Sequence, residues 1–170
     1  MPESTFILGV DPGTAITGFG VIESHSQGQF LKMVDSGFIV TDKKLPPGER
    51  LKVIFEGLMT VIEKVVPQEM AVEELFFNKN SKTALAVGEA RGIVLLCAAL
   101  HQLPVYEYTP LEVKQSVVGY GRATKGQIIY MVRQILNIEE EISPDDVADA
   151  LAVAICHAFH SGMRGNAGLS

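Results

Sequence analysis

The chain has 170 residues, of which 47% are hydrophobic and 20% charged, and its net charge is −6. This length and apolar content predict one folded core and argue against an intrinsically disordered protein. Cys97 and Cys156 lie in apolar stretches, a pattern that argues against a disulfide scaffold or a zinc site. The first ten residues contain no Lys or Arg, and the longest apolar run, 92–100, is about half of a membrane span. We therefore expect a cytoplasmic protein with no signal peptide and no membrane partner.

The N-terminal part of the chain predicts three strands. Residues 6–11 form a nearly continuous apolar run, as expected of a central strand that is buried on both faces. Residues 17–23 and 30–40 are two further strand candidates, and a turn-like segment, 24–28, joins them. The short connections predict an antiparallel arrangement of the three strands.

Helical spacing begins after Pro46-Pro47-Gly48, where apolar residues over 51–66 predict a helix that ends before Pro67. We then predict a strand over 70–75, a long helix over 81–100 and a strand over 104–108. Three helices follow. Thr109 and Thr124 each open a capping-box sequence, and an acidic variant at 143–146 opens the last helix, which we expect to end near His160.

The resulting order is β-β-β-α-β-α-β-α-α-α. A helix that connects the third strand to the fourth, and another that connects the fourth to the fifth, imply parallel neighbours. We therefore predict an α/β fold with a five-stranded mixed sheet, three antiparallel strands plus two parallel, flanked by helices. The domain prediction is a single unit, 1–170, with an ordered core over about 5–160 and a short C-terminal tail.

Asp11 ends the first predicted strand and is followed by Pro12-Gly13. An ionised carboxylate at the end of a buried strand is costly unless a cation or hydrogen bonds hold it. Two interpretations fit this position equally: a cation ligand, and a turn cap that accepts from the amides of Gly13 and Thr14.

Glu73 and Glu74 lie at the carboxyl end of the fourth strand, the edge at which open α/β sheets bind ligands. Adjacent strand residues face opposite sides of the sheet, so at most one glutamate can join Asp11. The spacing leaves the choice between them open, and both also fit the exit of a strand into water.

The last helix carries acids in its first turns. Asp146 and Asp149 are three residues apart and share one face, which Ala150 and Ala152 flank. Acids in a first helical turn, such as Asp145 and Asp146, favour the helix dipole whatever their function. Asp149 lies a turn further in, among apolar neighbours, and such a buried acid pair needs positive charge opposite it.

Three separate segments can thus bring carboxylate oxygens to one point at the sheet edge. Oxygen ligands without His or Cys suit Mg²⁺ or Mn²⁺ better than zinc. We predict two Mg²⁺ ions per chain, which four carboxylates would neutralise, with Mn²⁺ as a substitute. Such a pair of ions clamps a phosphate and polarises water. Without metal, at least one of these carboxyl groups should have a raised pKa.

The charge distribution points to a polyanion. Residues 76–133 hold seven bases and three acids, a net charge of +4, whereas the rest of the chain holds seven bases and seventeen acids, a net charge of −10. The bases of this segment include Lys79, Lys82, Lys114, Arg122 and Lys125. Solvated helix faces produce similar blocks, so the charge pattern carries little weight by itself.

Four segments, in order, resemble the motifs of the RuvC-type crossover junction endodeoxyribonucleases, the bacterial Holliday-junction resolvases. They are Ile7-Leu8-Gly9-Val10-Asp11-Pro12-Gly13-Thr14, the stretch from Ala71-Val72-Glu73-Glu74 to Asn80, Val113-Lys114-Gln115-Ser116-Val117-Val118-Gly119, and Asp146-Val147-Ala148-Asp149-Ala150-Leu151-Ala152. The likeness covers nearly the whole chain. It implies a ribonuclease-H-like fold, a homodimer, and Mg²⁺-dependent symmetric nicking of four-way DNA junctions in recombination and repair, alongside the RuvA and RuvB branch-migration proteins.

The resemblance also assigns residues. It implies that Asp11, Glu73, Asp146 and Asp149 are the metal ligands, which selects Glu73 over Glu74. It implies that Lys114 and Lys125 lie near the scissile phosphate, with Lys125 in a catalytic role, and that Phe76 stacks on junction bases.

The residues themselves support some DNA contacts. Phe76 and Phe77 lie beside Lys79, directly after the metal-binding strand, and an exposed aromatic there can stack on a base. A hydrophobic staple onto the next helix is the alternative, and two adjacent Phe residues would split these roles. Lys125 lies in the first turn of a helix, which attracts phosphate. Lys114 also fits a solvated helix residue.

One carboxylate cluster cuts one strand, so paired incisions call for a twofold dimer. Ala84, Gly88 and Gly92 form a flat strip on the second long helix that fits a dimer contact, although packing within the monomer explains it almost as well.

Three rival functions remain. Residues 9–14, followed by Gly18-Phe19-Gly20, resemble the first phosphate loop of actin-like and sugar-kinase-like ATPases, but those enzymes need two such folds and a chain more than twice as long. A ribonuclease-H-like nuclease with another nucleic-acid substrate, and a junction-binding module without catalysis, are the other candidates.

Overall fold

The computed structural model describes residues 3–74 and 81–167, and its ten elements follow the predicted order. The strands are β1 (Ser4–Asp11), β2 (Ile16–His25), β3 (Phe30–Val40), β4 (Glu69–Glu73) and β5 (Val105–Tyr108). The helices are α1 (Pro47–Val65), α2 (Ser81–Leu100), α3 (Pro110–Val118), α4 (Lys125–Leu136) and α5 (Asp145–Ala167).

The five strands form one mixed sheet in the order β3-β2-β1-β4-β5. β1 pairs antiparallel with β2, and β2 with β3, whereas β4 runs parallel to both β1 and β5. The predicted fold class, three antiparallel strands plus two parallel, is therefore confirmed.

Helices cover both faces of the sheet, so β1 is buried on each side, as its apolar run predicts. Leu8 and Val10 pack with Ile54 and Leu58 of α1 and with Val94 of α2. On the opposite face, the core joins three helices to the sheet through Ile7, Ile22, Val113, Val132, Leu151 and Ile155. Because successive strand residues alternate between faces, one short strand serves both cores.

Local signals set the helix boundaries. Thr109 and Thr124 each form a complete capping box. The threonine hydroxyl accepts from the backbone amide three residues on, and the side chain of that residue accepts from the threonine's own backbone amide. α1 begins at Pro47, within the Pro46-Pro47-Gly48 segment after which we predicted it, because proline is well suited to a first helical position. It ends at Val65, before Pro67 as predicted, and Val66 is left-handed with φ 53°.

The last helix is longer than predicted. We expected α5 to end near His160, but it continues to Ala167. At Gly162 a Cβ atom would lie 1.9 Å from the carbonyl oxygen of Gln27, so the helix rests directly on the β2–β3 turn. Gly28 of that turn, with φ +88°, approaches the Ala158 carbonyl in the same way. This contact with the turn supports the additional helical turns, which local sequence does not reveal.

α2 is an apolar helix that residues 3–74 and 81–167 leave largely uncovered. Leu85, Leu96 and Leu100 are 66%, 47% and 56% exposed. An added Cβ at Gly88 or Gly92 would meet nothing within 4 Å, so the small-residue strip is not occupied by packing within the described monomer. By length and composition alone, the segment Lys82–Leu100 could cross a membrane.

Candidate active site

Asp11 and Glu73 end neighbouring parallel strands at the same edge of the sheet. Val10 of β1 is opposite Val72 of β4, so each acid is the next residue along its strand. Both side chains are half-buried. The turn-cap alternative for Asp11 is not what the structure shows at Gly13, whose amide instead donates to Thr17 Oγ1 at 3.3 Å.

Two glycines bring α5 onto this edge. A Cβ at Gly9 would lie 2.0 Å from the carbonyl oxygen of Ala150, and a Cβ at Gly18 would lie 2.2 Å from that of Asp146. Gly18 is the β2 residue opposite Asp11. The helix backbone therefore lies against strand backbone at two points, and this approach carries Asp146 and Asp149 to Asp11.

The charges of these acids act on one another. Burial, followed by repulsion from Asp149, Asp146 and Glu73, raises the pKa of Asp11 to about 8, while Lys125 partly offsets the shift. Burial and Asp149 likewise raise the pKa of Glu73, against Lys114 and Lys125. The prediction that at least one carboxyl group in the metal-free site has a raised pKa is confirmed. The pKa values rise because these acids are partly buried and close to one another.

Lys125 supplies positive charge to this cluster. It is the first residue of α4, and its Nζ donates to Asp149 Oδ2 at 2.6 Å. Burial raises the pKa of Asp149, and the hydrogen bond from Lys125 lowers it only in part. Burial, the largest single effect, lowers the pKa of Lys125, but the hydrogen bond to Asp149 and the attraction of Asp149, Asp145 and Asp11 together outweigh it, and the net shift is upward.

A cleft of about 210 Å³ opens beside these residues. It is lined by Glu73, Lys114, Lys125 and Asp149, together with Pro110, Val113, Ile128 and Ala152. Lys114, which the resemblance places near the scissile phosphate, lines this cleft together with Glu73. A cleft lined by two lysines and two carboxylates is suited to a phosphate that is held through metal ions.

The carboxylate oxygens fit divalent cations in chemistry, although the side chains do not lie within ligand distance of one shared ion. Within residues 3–74 and 81–167, no three Asp, Glu, His or Cys side chains lie closely enough together to hold an ion as they stand. The ammonium of Lys125 instead occupies one position that a cation would take, at Asp149. Oxygen ligands only, mutual repulsion and a stand-in cation are the features of a Mg²⁺ or Mn²⁺ site rather than a zinc site.

Of the remaining predicted DNA contacts, the two that the structure describes do not line the cleft. Lys82 lies exposed in the first turn of α2, and Arg122 lies exposed in the α3–α4 loop. The predictions for Phe76, Phe77 and Lys79 lie outside the described residues.

A buried chain of hydrogen bonds behind the site was not predicted. His157 lies within α5, which continues for ten more residues beyond it. His157 is 1% exposed and lies 2.6 Å from both Tyr108 Oη and Glu69 Oε2. Burial lowers the pKa of His157, so the neutral ring donates from Nε2 to Glu69 and accepts at Nδ1 from Tyr108. Tyr108 is opposite Glu73 in the sheet.

Comparison with known proteins gives one consistent family. The family model described as "Crossover junction endodeoxyribonuclease RuvC" matches residues 7–157. A curated protein of that name from Moorella thermoacetica is 59% identical over 158 residues, covering 93% of both chains. Another from Pelotomaculum thermopropionicum is 56% identical over 154 residues, covering 91% of this chain and 93% of its own.

Solved structures agree. The chain is similar to Thermus thermophilus RuvC in complex with a Holliday junction substrate, with a TM-score of 0.88 and 35% identity, covering 94% of this chain and 96% of that one. The yeast mitochondrial Holliday junction resolvase Ydc2 aligns with a TM-score of 0.65 and 12% identity over 96% of this chain and 83% of that chain, which shows a shared fold.

Proposed function

The chain belongs to the RuvC family of crossover junction endodeoxyribonucleases, and from that membership we propose how its own residues cut DNA. It is an endonuclease that resolves four-way Holliday junctions in recombination and repair, which sets aside the ATPase and non-catalytic alternatives. Like the family, it depends on divalent metal. The main support for the proposal is the grouping of four acids at one edge of the sheet. There, burial and the charges of Asp149, Asp146 and Glu73 raise the pKa of Asp11 to about 8.

We propose that these four carboxylates hold two Mg²⁺ ions per chain, for which Mn²⁺ can substitute. Asp11 and Glu73 would come from the rigid strand ends and Asp146 and Asp149 from α5. When bound, the cations would supply the Lewis acidity that activates water and stabilises the leaving oxygen. Water adds to the scissile phosphorus and the bond to the 3′ oxygen breaks, which leaves 5′-phosphate and 3′-hydroxyl ends.

The two cleft lysines would act on the phosphate itself. Lys125 already reaches Asp149 from the first turn of α4, where backbone amides also favour anions. If a cation were bound at Asp149, the Lys125 ammonium would be free to approach the phosphate and offset the charge that develops there. Lys114, which lines the same cleft as Glu73, would orient the same group. Arg122 and Lys82 would contact the DNA backbone further away. Phe76 is a proposed DNA contact by resemblance, and Phe77 and Lys79 are proposed from their place beside it in the sequence.

Two symmetric cuts need two such sites, and we propose that α2 joins two copies of the chain. Its leucines are exposed, and open space faces Gly88 and Gly92, as a helix needs when its backbone is to approach another closely. Leu96→Glu should convert the dimer to monomer in sedimentation equilibrium, whereas Leu45→Glu, a matched change at another exposed leucine, should not. A Leu96→Glu protein that remains dimeric would place the interface elsewhere.

RuvA and RuvB are proposed partners on the basis of the resemblance. The cytoplasmic location and the single-domain extent of 1–170 are proposals that rest on the length and composition of the chain.

The test of the function compares a synthetic four-way junction with a linear duplex of the same sequence, in Mg²⁺ or in EDTA, with the nicks mapped at nucleotide resolution. We expect paired nicks at symmetric positions on the junction alone, and only with metal. Equal cleavage of the linear duplex would favour a ribonuclease-H-like nuclease with another substrate.

A further inference from the structure

A groove separates β3 from the linker that joins α4 to α5. It consists of two adjoining cavities of about 510 and 200 Å³, which share Met33, Ile138 and Glu140. We call it the β3 groove. Its apolar walls are Leu31, Met33 and Phe38 on the strand side and Ile138 and Ile142 on the linker side, and its rim carries Glu139, Glu140 and Glu141.

The β3 groove follows the edge of the strand rather than one of its faces. β3 is the last strand on its side of the sheet. Residues 31–33 all line the first cavity, and residues 36–38 all line the second. Because consecutive strand residues point to opposite faces, a cavity that all three line must border the strand's edge.

The outer edge of β3 is available for pairing. In the part of the chain that the structure describes, the backbone of β3 is hydrogen-bonded along Phe30–Val40 to β2, and no other backbone–backbone hydrogen bond reaches residues 31–40. The Ser36 amide also donates to the side chain of its neighbour Asp35 at 2.9 Å. Exposed edges of this kind are templates for an added strand.

The opposite wall is held in place. Arg133 Nε donates to the carbonyl of Ile138 at 3.3 Å, and its Nη2 donates to the carbonyl of Glu139. Asn137 ends α4 in the left-handed conformation, with φ 53°. The linker is therefore braced from α4, and an incoming segment would meet a formed groove rather than a loop that it must order.

The chemistry of the rim selects the occupant. Glu139, Glu140 and Glu141 are exposed, and among the described residues no ion pair engages them. Lys32 is the one base that lines the β3 groove, so the rim is net negative. Such a surface repels DNA phosphates and attracts Lys and Arg, while the apolar walls require aliphatic side chains.

We propose that the β3 groove binds an extended, basic and aliphatic segment of a partner protein, which adds to β3 as a sixth strand. Alternate side chains would enter between Met33 and Ile138, and the intervening Lys or Arg side chains would meet the glutamate rim. At about 3.3 Å per residue, the edge from Leu31 to Phe38 accommodates a segment of about eight residues. The far end of the β3 groove reaches Ser143 and Val147, beside the first turn of α5, so an occupant would contact the helix that carries Asp149 without covering the cleft.

The probe is a fluorescent eight-residue peptide of alternating Lys and Val, compared with one of alternating Glu and Val. Fluorescence anisotropy on the full chain should show saturable binding of the Lys peptide alone. Glu139→Lys, Glu140→Lys and Glu141→Lys combined should weaken that binding on the order of tenfold. The matched control, Glu49→Lys, Glu56→Lys and Glu63→Lys on α1, makes the same change of net charge and should weaken it by less than about twofold.

Hydrogen exchange separates strand addition from general attraction between charges. The Lys peptide should slow amide exchange in residues 30–40, and junction DNA should not. Without peptide, the triple variant at Glu139, Glu140 and Glu141 should cleave junctions at the same rate as the original chain. Equal loss of binding in both triple variants, no saturable binding, protection elsewhere, or protection of residues 30–40 by junction DNA would each overturn the proposal.

Discussion

Lys125 Nζ lies 2.6 Å from Asp149 Oδ2, at the carboxylate that we assign to a metal. In the proposed site the ammonium and an incoming cation would compete for the same oxygen, and a bound cation would free Lys125 to approach the phosphate. Without metal, the lysine that we propose for catalysis is therefore paired with a proposed metal ligand.

Lys125→Met should separate cation binding from catalysis. Removal of the competing ammonium should lower the Mg²⁺ concentration that half-saturates the DNA-free protein severalfold, whereas cleavage should slow by about a hundredfold. Isothermal titration and single-turnover cleavage measure the two effects. Lys52→Met, a similar change at an exposed site on α1, is the control. Unchanged or weaker Mg²⁺ binding would show that Lys125 does not compete.

Asp11→Asn should abolish cleavage, retain junction binding and stabilise the metal-free fold. The pKa of Asp11 rises from 3.8 to about 8 on folding, chiefly through burial. Between these pH values the folded chain keeps a proton that the unfolded chain has released, so the free energy of unfolding falls as the pH rises through this window.

Above about pH 8 that cost is complete, and below about pH 4 it is absent. In EDTA, the gain from Asp11→Asn should therefore grow with pH to on the order of a few kcal/mol. Urea unfolding at pH 5 and pH 8 measures this gain in unfolding free energy, with Glu63→Gln, at an exposed position of α1, as the control. An equal gain at both pH values would refute the assignment of the raised pKa to Asp11.

Glu73 and Glu74 form a matched pair for testing the site. Glu73 lines the cleft, whereas the Glu74 amide donates to the Tyr108 carbonyl at 2.7 Å outside β4. Glu73→Gln should slow single-turnover cleavage at least about a hundredfold, because a metal ligand is lost. Glu74→Gln should change it less than about threefold. Similar losses in both variants would mean that charge at the strand end, not ligation, is what matters.

Gly9→Ala should displace α5. The new Cβ would meet the Ala150 carbonyl at 2.0 Å, and the shift should cost about 1–3 kcal/mol of unfolding free energy. Cleavage should fall as well, since α5 carries Asp146 and Asp149. At Gly48 an added Cβ meets nothing within 4 Å, so Gly48→Ala should be neutral or stabilise by up to about 1 kcal/mol. A stable, active Gly9→Ala protein would show that this close contact is not required.

Local signals account for what the sequence predicts correctly. The capping boxes at Thr109 and Thr124 and the apolar run before Asp11 require only neighbours along the chain. Together with the helix and strand spacing elsewhere in the sequence, such signals give the order of all ten elements. The convergence of Asp11 and Glu73 follows from parallel strands ending at one edge.

Other features depend on contacts between distant segments. Gly9 beneath Ala150, Gly162 on the β2–β3 turn, and His157 between Tyr108 and Glu69 are matters of tertiary packing, which no local pattern encodes. For the same reason, the spacing alone could not choose Glu73 over Glu74, and the resemblance to a family was needed.

The number of Mn²⁺ ions bound per chain, measured by electron paramagnetic resonance of the junction-bound protein at pH 8, tests the two-metal site most sharply. We expect two bound ions in the original chain, loss of ions when either Asp11→Asn or Asp149→Asn is introduced, and no change with Glu74→Gln. Two ions retained in both the Asp11→Asn and Asp149→Asn proteins, with the DNA still bound, would show that these carboxylates do not hold the metal.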